Sequence, residues 1–579
     1  MVPIPGPTPL PFIGNMKEVD RGNIIHGFCL LADTYGPIYK LHFGREEKII
    51  ITNQKLVNEV CSRILFKKYP LGFLKDLRAA IPDGLFTAYP GQESWGIAHR
   101  ILLPALSPVA VQSMLPEMVD ITSQLILKWA RFGSTNKINA PEDFTRLTFD
   151  IIALCGMDTR LNSFYQEKPP PIAVASVELL AETQLRASRP SWYTACLWQA
   201  NQRFEENNRL LHEVAKQVVE NRRKDPKKKK DLVDALLNGK DTLTGKGLDD
   251  GAIIDNMITF LIAGHETASG LLSFLFVLLL KHPEIFSKLK AEVDTVLGRG
   301  PITASHLSKL SYTKACIRET LRLHPTAPIW TVTPVVDNPA IPVLLDGQWE
   351  IKHGQVILIV NPKLHRDPAV WGDDADEFQP ERMLEENFRK LPKNCWKPWG
   401  NGSRACIGGD FATQEVMIAA AVIIQNFDLQ LVDPEYQLSV REALTIKPRD
   451  FFIYAKLRPH IDLLSLQADL LRAKNAQGFV KWLSGTKTNQ LEGVKFALFG
   501  CGNSNWQGTF QQIPTLLFEL MKKHGAIALA PQVGVDVSGG DAVTAFQTWQ
   551  ADHLWPGLSQ VGKGSSGGSI VVSSDLCVY

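Results

Sequence analysis

The stretch "KPWGNGSRACIGGDFATQEV" at residues 397–416 places one cysteine in a glycine-rich segment just before a helix-like run. Gly400 and Gly402 leave space near Cys406 and permit backbone conformations closed to other residues, so a flat ligand can lie against the chain. Arg404 and the start of the following helix bring positive charge toward the sulfur, which favours a thiolate. The pattern is therefore typical of a cysteine that binds a ligand.

The surroundings of Cys406 bear on which ligand it holds. No second cysteine or histidine follows at the spacing of a zinc site. A single axial thiolate on haem iron fits such a loop. The residues alone also fit a second interpretation, an inert cysteine buried on a glycine-rich loop.

The composition is that of a soluble globular protein, with 579 residues, 45% of them hydrophobic and 21% charged. A net charge of +2 gives no indication of a nucleic-acid partner. The nine cysteines form no CxxC pair, and the N-terminal residues resemble neither a signal peptide nor an anchor. We therefore expect reduced thiols and a cytoplasmic protein.

The run "MITFLIAGHETASGLLSFLFVLLL" at residues 257–280 is long enough to span a bilayer. His265, Glu266 and Thr267 lie near its centre, where polar and charged groups are costly in lipid. We expect a long helix through a large domain, with these side chains facing a site, and no integral membrane anchor.

The chain changes character along its length. Residues 95–330 are mostly helical in periodicity, residues 329–362 alternate as β-strands, and short strands follow a helix after Cys406. From about residue 463 the pattern becomes α/β. We predict one domain over 1–462, a second over 463–560 and a disordered Gly/Ser-rich tail over 561–579.

"WGNGSRACIG" at residues 399–408 resembles the haem-binding loop of the cytochromes P450, F-x-x-G-x-R-x-C-x-G. Trp399 stands where the family usually has phenylalanine, next to Gly400. The resemblance implies a mainly α fold with small β-sheets. It also implies haem b with Cys406 as the axial ligand of the iron.

"AGHET" at residues 263–267 is similar to the oxygen-activating motif of the same family. The resemblance implies that Glu266 and Thr267 are catalytic and pass protons to bound O2. A threonine here can bond to the carbonyl of Ala263, and we expect this bond to open the helix locally.

Two further stretches match the family in the expected order. "ETLR" at residues 319–322 resembles ExxR and implies a structural ion pair of Glu319 with Arg322, with Arg382 of "FQPERM" as a third partner. "ESWGIAHRILLPALS" at residues 93–107 resembles the third helix. It implies that Trp95 and His99 join Arg404 at a haem propionate.

The resemblance is strongest to the self-sufficient fused fatty-acid hydroxylases of fungi and bacilli, in which a haem domain continues into a diflavin reductase. It implies an apolar, fatty-acid-like substrate in a pocket lined by Phe86, Ala263, Thr326, Ala327 and Ile329.

The first β-hairpin bears on how such a substrate is held. In "FGREEKIIIT" at residues 43–52, Glu46 and Glu47 follow Arg45, and Ile50 stands where those hydroxylases have a tyrosine. We expect the two carboxylates to weaken selectivity for free fatty acids.

"FGCGNSNW" at residues 499–506 resembles the FMN-side loop of a flavodoxin-like domain, with Gly502 at the cofactor and Trp506 against the flavin ring. The residues after 462 leave no room for the first strand and its phosphate-binding loop. We therefore expect an incomplete flavodoxin-like domain whose FMN site is impaired. FAD and NADPH would act only through a diflavin NADPH reductase supplied in trans.

These observations together predict a haem-thiolate monooxygenase that inserts one atom of O2 into a C–H bond of a small apolar substrate. Two alternatives stay open. One is a haem enzyme that uses peroxide without a reductase, and the other is a haem-binding remnant that lacks activity. The acid–alcohol pair of "HET" argues against the first.

Overall fold

A computed structural model of the chain divides into two compact units, Met1–Pro459 and His460–Tyr579. In the first unit it describes residues 2–459 except 20–22, 45, 69, 71, 133, 167, 225–228, 336–341 and 443–444. In the second unit it describes residues 491–492, 494–502, 512–531, 533–536, 548–554 and 556.

Helices dominate the first unit. Helices α1–α10 are Ile24–Tyr35, Gln54–Ser62, Phe73–Leu77, Glu93–Ala105, Pro108–Ser113, Leu115–Phe132, Ala140–Met157, Pro171–Ser188, Ser191–Cys196 and Trp198–Lys224. Helices α11–α19 are Leu232–Asn238, Asp250–Lys281, Pro283–Leu297, Ala304–Leu307, Ser311–Leu323, Asn361–Leu364, Pro368–Trp371, Glu385–Phe388 and Gly409–Asn426. Short 3-10 turns form at Ser163–Tyr165, Pro380–Met383 and Gly402–Arg404.

Helix α12 runs through the centre of this unit for 32 residues. The Asp249 carboxylate caps it by accepting from the Ala252 N–H at 2.8 Å. It is the one described helix long and apolar enough to cross a membrane, and 78% of its most apolar window is buried inside the protein. Such burial is typical of a core helix.

Small sheets flank the helices. Strands β1–β12 are Ile38–Phe43, Glu46–Ile51, Phe66–Lys68, Ile138–Asn139, Ile329–Pro334, Val343–Leu345, Trp349–Ile351, Val356–Val360, Phe427–Leu431, Val440–Glu442, Ile446–Pro448 and Phe452–Leu457. The largest sheet has the order β1-β2-β8-β5-β3. The other ladders are β4-β12-β9, β6-β7 and the hairpin β10-β11.

The five-stranded sheet explains the first hairpin. Strands β1 and β2 pair antiparallel with Ile38 opposite Ile51, and β2 pairs parallel with β8. Both faces of the sheet are covered, so Ile49, Ile50 and Ile51 are all fully buried. Ile50 packs in the core beneath helix α1 and does not line an entrance.

In the second unit the described elements are β13 Lys495–Phe496, β14 Phe499–Gly502, α20 Gln512–Lys523, β15 Ile527–Ala528, β16 Val533–Asp536 and a π-helical turn at Gln550–Leu554. Strand β13 pairs parallel with β15, and β14 pairs parallel with β16. The mainly α unit followed by a parallel α/β segment confirms the predicted fold class.

Candidate functional site

The loop before α19 holds Cys406 in a fixed backbone conformation. The Cys406 N–H donates to the Trp399 carbonyl at 2.8 Å, which closes the loop on itself. Gly400 and Gly402 have φ of +74° and +65°, a region that favours glycine. The Trp399 ring lies against Gly409, so the larger aromatic ring is accommodated where α19 begins.

The surroundings of Cys406 raise the pKa of its thiol. Cys406 is exposed by accessible area, yet burial is the largest influence on its pKa and raises it. The Gly408 N–H and the Lys68 ammonium oppose this rise. The expectation that the surroundings alone favour a thiolate is therefore wrong, because burial outweighs the nearby positive charge. A coordinated metal ion deprotonates a thiol directly.

Trp95, His99 and Arg404 lie together as the sequence predicts. The Trp95 and His99 rings stack with centroids 4.9 Å apart, and the Arg404 guanidinium lies 3.9 Å from the centre of the Trp95 ring. Burial, then the charges of Arg404 and Arg100, lowers the pKa of His99. Burial lowers the pKa of Arg404 to about 10.

Arg404 also connects the cysteine loop to the segment that carries Phe86. It donates to the carbonyls of Ala88 at 2.8 Å and Tyr89 at 3.1 Å. The same segment is tied to α12, because Leu85 N–H donates to the Asn256 side chain at 3.0 Å. Phe86 is therefore held on a short loop between the cysteine loop and α12.

Lys68 is a member of this site that the sequence analysis missed. It comes from the three-residue strand β3, and its ammonium lies 5.7 Å from the centre of the Phe86 ring. Burial lowers its pKa, Cys406 opposes that change and Arg404 adds to it. A lone lysine on so short a strand leaves no pattern in the sequence that could have indicated it.

Lys68, His99 and Arg404 together offer hydrogen-bond donors and positive charge that fit an anionic, flat group. Among the described residues, no carboxylate lies within ion-pair distance of Lys68, His99 or Arg404. Lys68 and Arg404 are partly shielded from water, and such charges are costly unless a ligand neutralises them. A Cβ added at Gly402 or Gly408 would meet nothing within 4 Å, so the loop borders open space. The residues present therefore fit a haem whose carboxylates face this cluster.

Helix α12 contributes the opposite side of the candidate site. Ala263 is exposed although the residues before it are buried in the core. The Thr267 hydroxyl donates to the Ala263 carbonyl at 3.1 Å, as the sequence predicts. The predicted local opening is not present, because residues 250–281 remain α-helical and the hydroxyl adds a second bond to a carbonyl that stays in the helix.

The Glu266 carboxylate is held by an ion pair. Lys447 Nζ lies 3.0 Å from Oε2, and His265 Nε2 lies 3.5 Å from Oε1. Burial acts to raise the pKa of Glu266, but Lys447 and then His265 hold it well below its usual range. Glu266 is therefore ionised near neutral pH, and its predicted role as a proton donor stays a prediction.

The remaining predicted pocket residues lie close to α12 or next to β5. A Cβ added at Gly270 of α12 would lie 3.1 Å from the Thr326 methyl group, so Thr326 packs one turn beyond Thr267. Ala327 is exposed and Ile329, the first residue of β5, is partly buried. Their contact with a substrate stays a prediction.

The carboxylates of the first hairpin are compensated by cations. Glu47 lies 3.2 Å from Lys40 and 3.3 Å from His42, while Glu46 lies 3.5 Å from Lys48. The basis for weakened acid selectivity is therefore smaller than the sequence suggested, because neither carboxylate stands alone. Arg45 lies outside the described residues.

Glu319, Arg322 and Arg382 meet behind this site. Arg322 Nε and one terminal nitrogen each lie 2.8 Å from a Glu319 oxygen, and both side chains are fully buried. Arg382 is 3.9 Å from Glu319 and binds Asp374 at 2.8 Å, so it is the weaker third partner.

The predicted flavin residues are only partly described. Gly502 ends β14 opposite Asp536 of β16, at the carboxyl end of two parallel strands. Trp506 lies outside the described residues.

Comparison with known proteins agrees with this geometry. The family model for cytochrome P450 matches residues 4–453. The chain belongs to the cytochrome P450 family. A flavodoxin model matches residues 470–549, after the P450 part.

Two curated relatives of this cytochrome P450 are named as a bifunctional P450–reductase and as a self-sufficient P450 monooxygenase. The bifunctional cytochrome P450/NADPH–P450 reductase ascE of Acremonium egyptiacum is 40% identical over 645 aligned positions, which cover 96% of this chain and 60% of that protein. The self-sufficient cytochrome P450 monooxygenase CYP505E1 of Aspergillus niger is 38% identical, over 96% of this chain and 59% of its own length.

The alignments show how much of each relative this chain covers. This cytochrome P450 spans about 60% of the length of the curated relatives it matches. The 645 aligned positions also exceed the 579 residues of the chain, so the alignment places gaps in this chain opposite residues of the relative.

Proposed function

We propose that this chain is a haem-thiolate monooxygenase that acts on an apolar substrate with electrons that originate in NADPH. The observation that carries the proposal is the partly buried cluster of Lys68, His99 and Arg404 near Cys406, with no carboxylate in ion-pair contact with it among the described residues. The names of the relatives, which are P450 monooxygenases and P450 reductases, support it.

The residues have separate roles in this proposal. Cys406 would hold the iron of haem b through its thiolate, and Trp95, His99, Arg404 and Lys68 would hold the carboxylates of the haem. Bound haem supplies the chemistry that activates O2. The protein would place the substrate beside Ala263 and supply protons through Glu266 and Thr267.

The substrate would be a small fatty-acid-like molecule. Phe86 supports this part of the proposal, because its loop is held between α12 and the cysteine loop. We also propose a cytoplasmic location. A diflavin NADPH reductase, supplied as a separate protein, would be the electron donor.

Carbon monoxide binding to the reduced, haem-loaded chain tests the ligand assignment. A thiolate ligand gives a strongly red-shifted Soret band, which we expect for the native chain and not for Cys406→Ala or Cys406→His. An ordinary haem–CO spectrum of the native chain would contradict the assignment. Product formation with an added diflavin reductase then separates an active enzyme from an inactive haem-binding protein.

The FMN site calls for its own measurement. The residues after 462 leave no room for the strand and the phosphate-binding loop that open a flavodoxin-like domain. We therefore expect no stoichiometric FMN in the purified chain and early proteolysis within residues 463–579. Flavin released from the denatured protein in equal amount to haem would contradict this prediction.

A further inference from the structure

The loop that carries Phe86 is bound to α12 at its first residues. The Asp83 N–H donates to Asp255 Oδ2 at 2.7 Å. A Cβ added at Gly84 would overlap the Thr259 hydroxyl, so the backbone lies too close to α12 for a larger residue. The Asp255 side chain is only 6% exposed. A nearly buried carboxylate therefore holds the start of the loop.

The other oxygen of the Asp255 carboxylate faces helix α10. His212 Nε2 lies 3.5 Å from Asp255 Oδ1, and His212 Nδ1 lies 2.9 Å from the Asn208 carbonyl. A carbonyl and a carboxylate only accept hydrogen bonds, so the imidazole satisfies both only when both of its nitrogens carry hydrogen. The bond to Asp255 accordingly raises the pKa of His212, although burial opposes the rise.

Asp255 is the charge that faces His212 among the described residues. Helix α10 packs against α8, α9 and α12, and α9 contains no charged residue. Other acids on these helices have partners of their own: Glu178 with Asn207, Glu182 with Arg186 and Arg189, Asp250 with Arg223, and Glu213 with Arg209. The Asp83 carboxylate accepts from the Ser94 hydroxyl at 2.7 Å.

We propose that Asp255, held in place by His212, is a positioning residue that sets where Phe86 stands and so which carbon of an apolar substrate is oxidised. The inference rests on the proposed function, in which the substrate lies beside Phe86. The far end of the loop is bound separately, by Arg404. Asp255 would therefore act on Phe86 from the α12 end alone.

The charge of His212 would decide how firmly Asp255 holds the loop. Protonated His212 neutralises the carboxylate and keeps it on the Asp83 N–H. Neutral His212 would turn a lone pair toward the carboxylate and leave it nearly buried without a counter-charge, which is costly. The carboxylate would then turn toward water and release the loop. The His212 side chain is 34% exposed, so it can exchange protons with solvent.

Hydrogen exchange of the haem-loaded chain, followed by mass spectrometry, tests the positioning without turnover. In Asp255→Ala we expect the Asp83 amide to exchange at least about tenfold faster than in the native chain, the effect of losing a hydrogen bond to a charged group. Asp255→Asn keeps an oxygen that can accept this bond and should fall between the two. Glu213→Gln is the matched control, because it removes an exposed carboxylate beside His212 on the same helix.

The pH dependence of this exchange, corrected for the intrinsic rate, tests the part played by His212. The folded-state pKa of His212 is raised, so the protection of residues 83–85 should be complete at low pH and fall as pH rises through that pKa. His212→Gln should show the weaker protection at every pH. His212→Lys keeps a positive charge and should keep the protection. His26→Gln removes an exposed histidine of α1 and should change nothing.

Turnover with an added diflavin reductase and a saturated fatty alcohol tests the consequence for the product. The ratio of hydroxylated positions in Asp255→Asn and His212→Gln should move toward the ratio given by Phe86→Ala. The double variant Phe86→Ala, Asp255→Asn should match Phe86→Ala alone, because Asp255 would act through Phe86. In the native chain the ratio should move the same way as pH rises.

The outcomes separate the two proposals. Unchanged exchange at residues 83–85 in Asp255→Ala would overturn the hold on the loop. A His212→Gln variant that matches the native chain at every pH would overturn the role of His212. Faster exchange with an unchanged product ratio would overturn the control of selectivity. A native chain that binds CO as a haem thiolate but forms no product would overturn the monooxygenase proposal, while the exchange result would still decide the hold on the loop.

Discussion

Two buried carboxylate–cation pairs in the P450 unit differ in how many donors surround the carboxylate. Glu319 accepts two bonds from Arg322 at 2.8 Å and a third from the Gln379 N–H at 3.0 Å, with no exposed area. Glu266 has one close partner, Lys447, and keeps 15% of its side chain exposed.

The difference separates a structural pair from one that can change partners. A fully surrounded carboxylate cannot move without breaking several bonds in a dry interior, which is costly. A carboxylate with one close partner and contact with water can exchange that partner for a proton. The number of hydrogen-bond donors around each carboxylate therefore indicates the role of that residue better than its burial does.

The largest effect is expected from Glu319→Gln. This change leaves Arg322 buried without its counter-charge and should cost about 3–5 kcal/mol of stability. Haem content and denaturant unfolding measure the loss. Glu266→Gln makes the same chemical change and should cost less, because Glu266 and Lys447 both keep contact with solvent. Equal losses for the two variants would remove the distinction between the pairs.

Thr267→Ala tests the proton delivery proposed for Glu266, the carboxylate with one close partner. The hydroxyl binds only the Ala263 carbonyl among the described residues, so its loss should hardly affect folding. Product formed per NADPH consumed should fall by up to ~100-fold, the lower end of what a positioned proton donor contributes. Peroxide should rise in compensation. Unchanged coupling would show that protons arrive by another route.

Arg382→Ala tests how much the third residue contributes to the structural pair of Glu319 with Arg322. Arg382 lies 3.9 Å from Glu319, and it binds the Trp371 carbonyl at 3.0 Å. We expect a loss of about 1–3 kcal/mol, the contribution of hydrogen bonds to a charged group. A loss as large as that of Glu319→Gln would mean that all three residues act as one unit.

The smallest effect concerns a pair nearer the surface. Glu47 is 32% exposed beside Lys40 and His42, so its charge should hardly repel an anionic substrate. Spin-state titration with a fatty acid and the matched alcohol should give affinities within about 1 kcal/mol of each other. A larger preference for the alcohol would show that the cations do not compensate the hairpin carboxylates.

The sequence predicted the parts of the site that lie close together along the chain. The Cys406 loop, the Glu319–Arg322 pair, the Trp95–His99 stack and the Thr267 bond all depend on neighbours within a turn or a loop. The α/β character of the second unit also follows from local patterns.

The sequence could not reveal contacts between distant segments. Lys447 reaches Glu266 across 181 residues, and no periodic pattern relates the two. Lys68 lies on a strand too short to show alternation. The rise in the pKa of the Cys406 thiol was also missed, because the effect of burial on a pKa depends on the whole surrounding fold.

The unpaired cations beside Cys406 have a consequence for how the protein matures. Lys68 lies near enough to Arg404 for the arginine charge to lower its pKa, so a chain without an anionic cofactor contains repulsion between these two cations. A ligand that binds only the folded state stabilises it by mass action, and an anionic ligand also removes the repulsion. We therefore expect residues 83–89 of the newly made chain to have low local stability until haem binds. Cofactor-free molecules would then be degraded faster than haem-loaded ones, so the supply of haem would limit the amount of protein that accumulates.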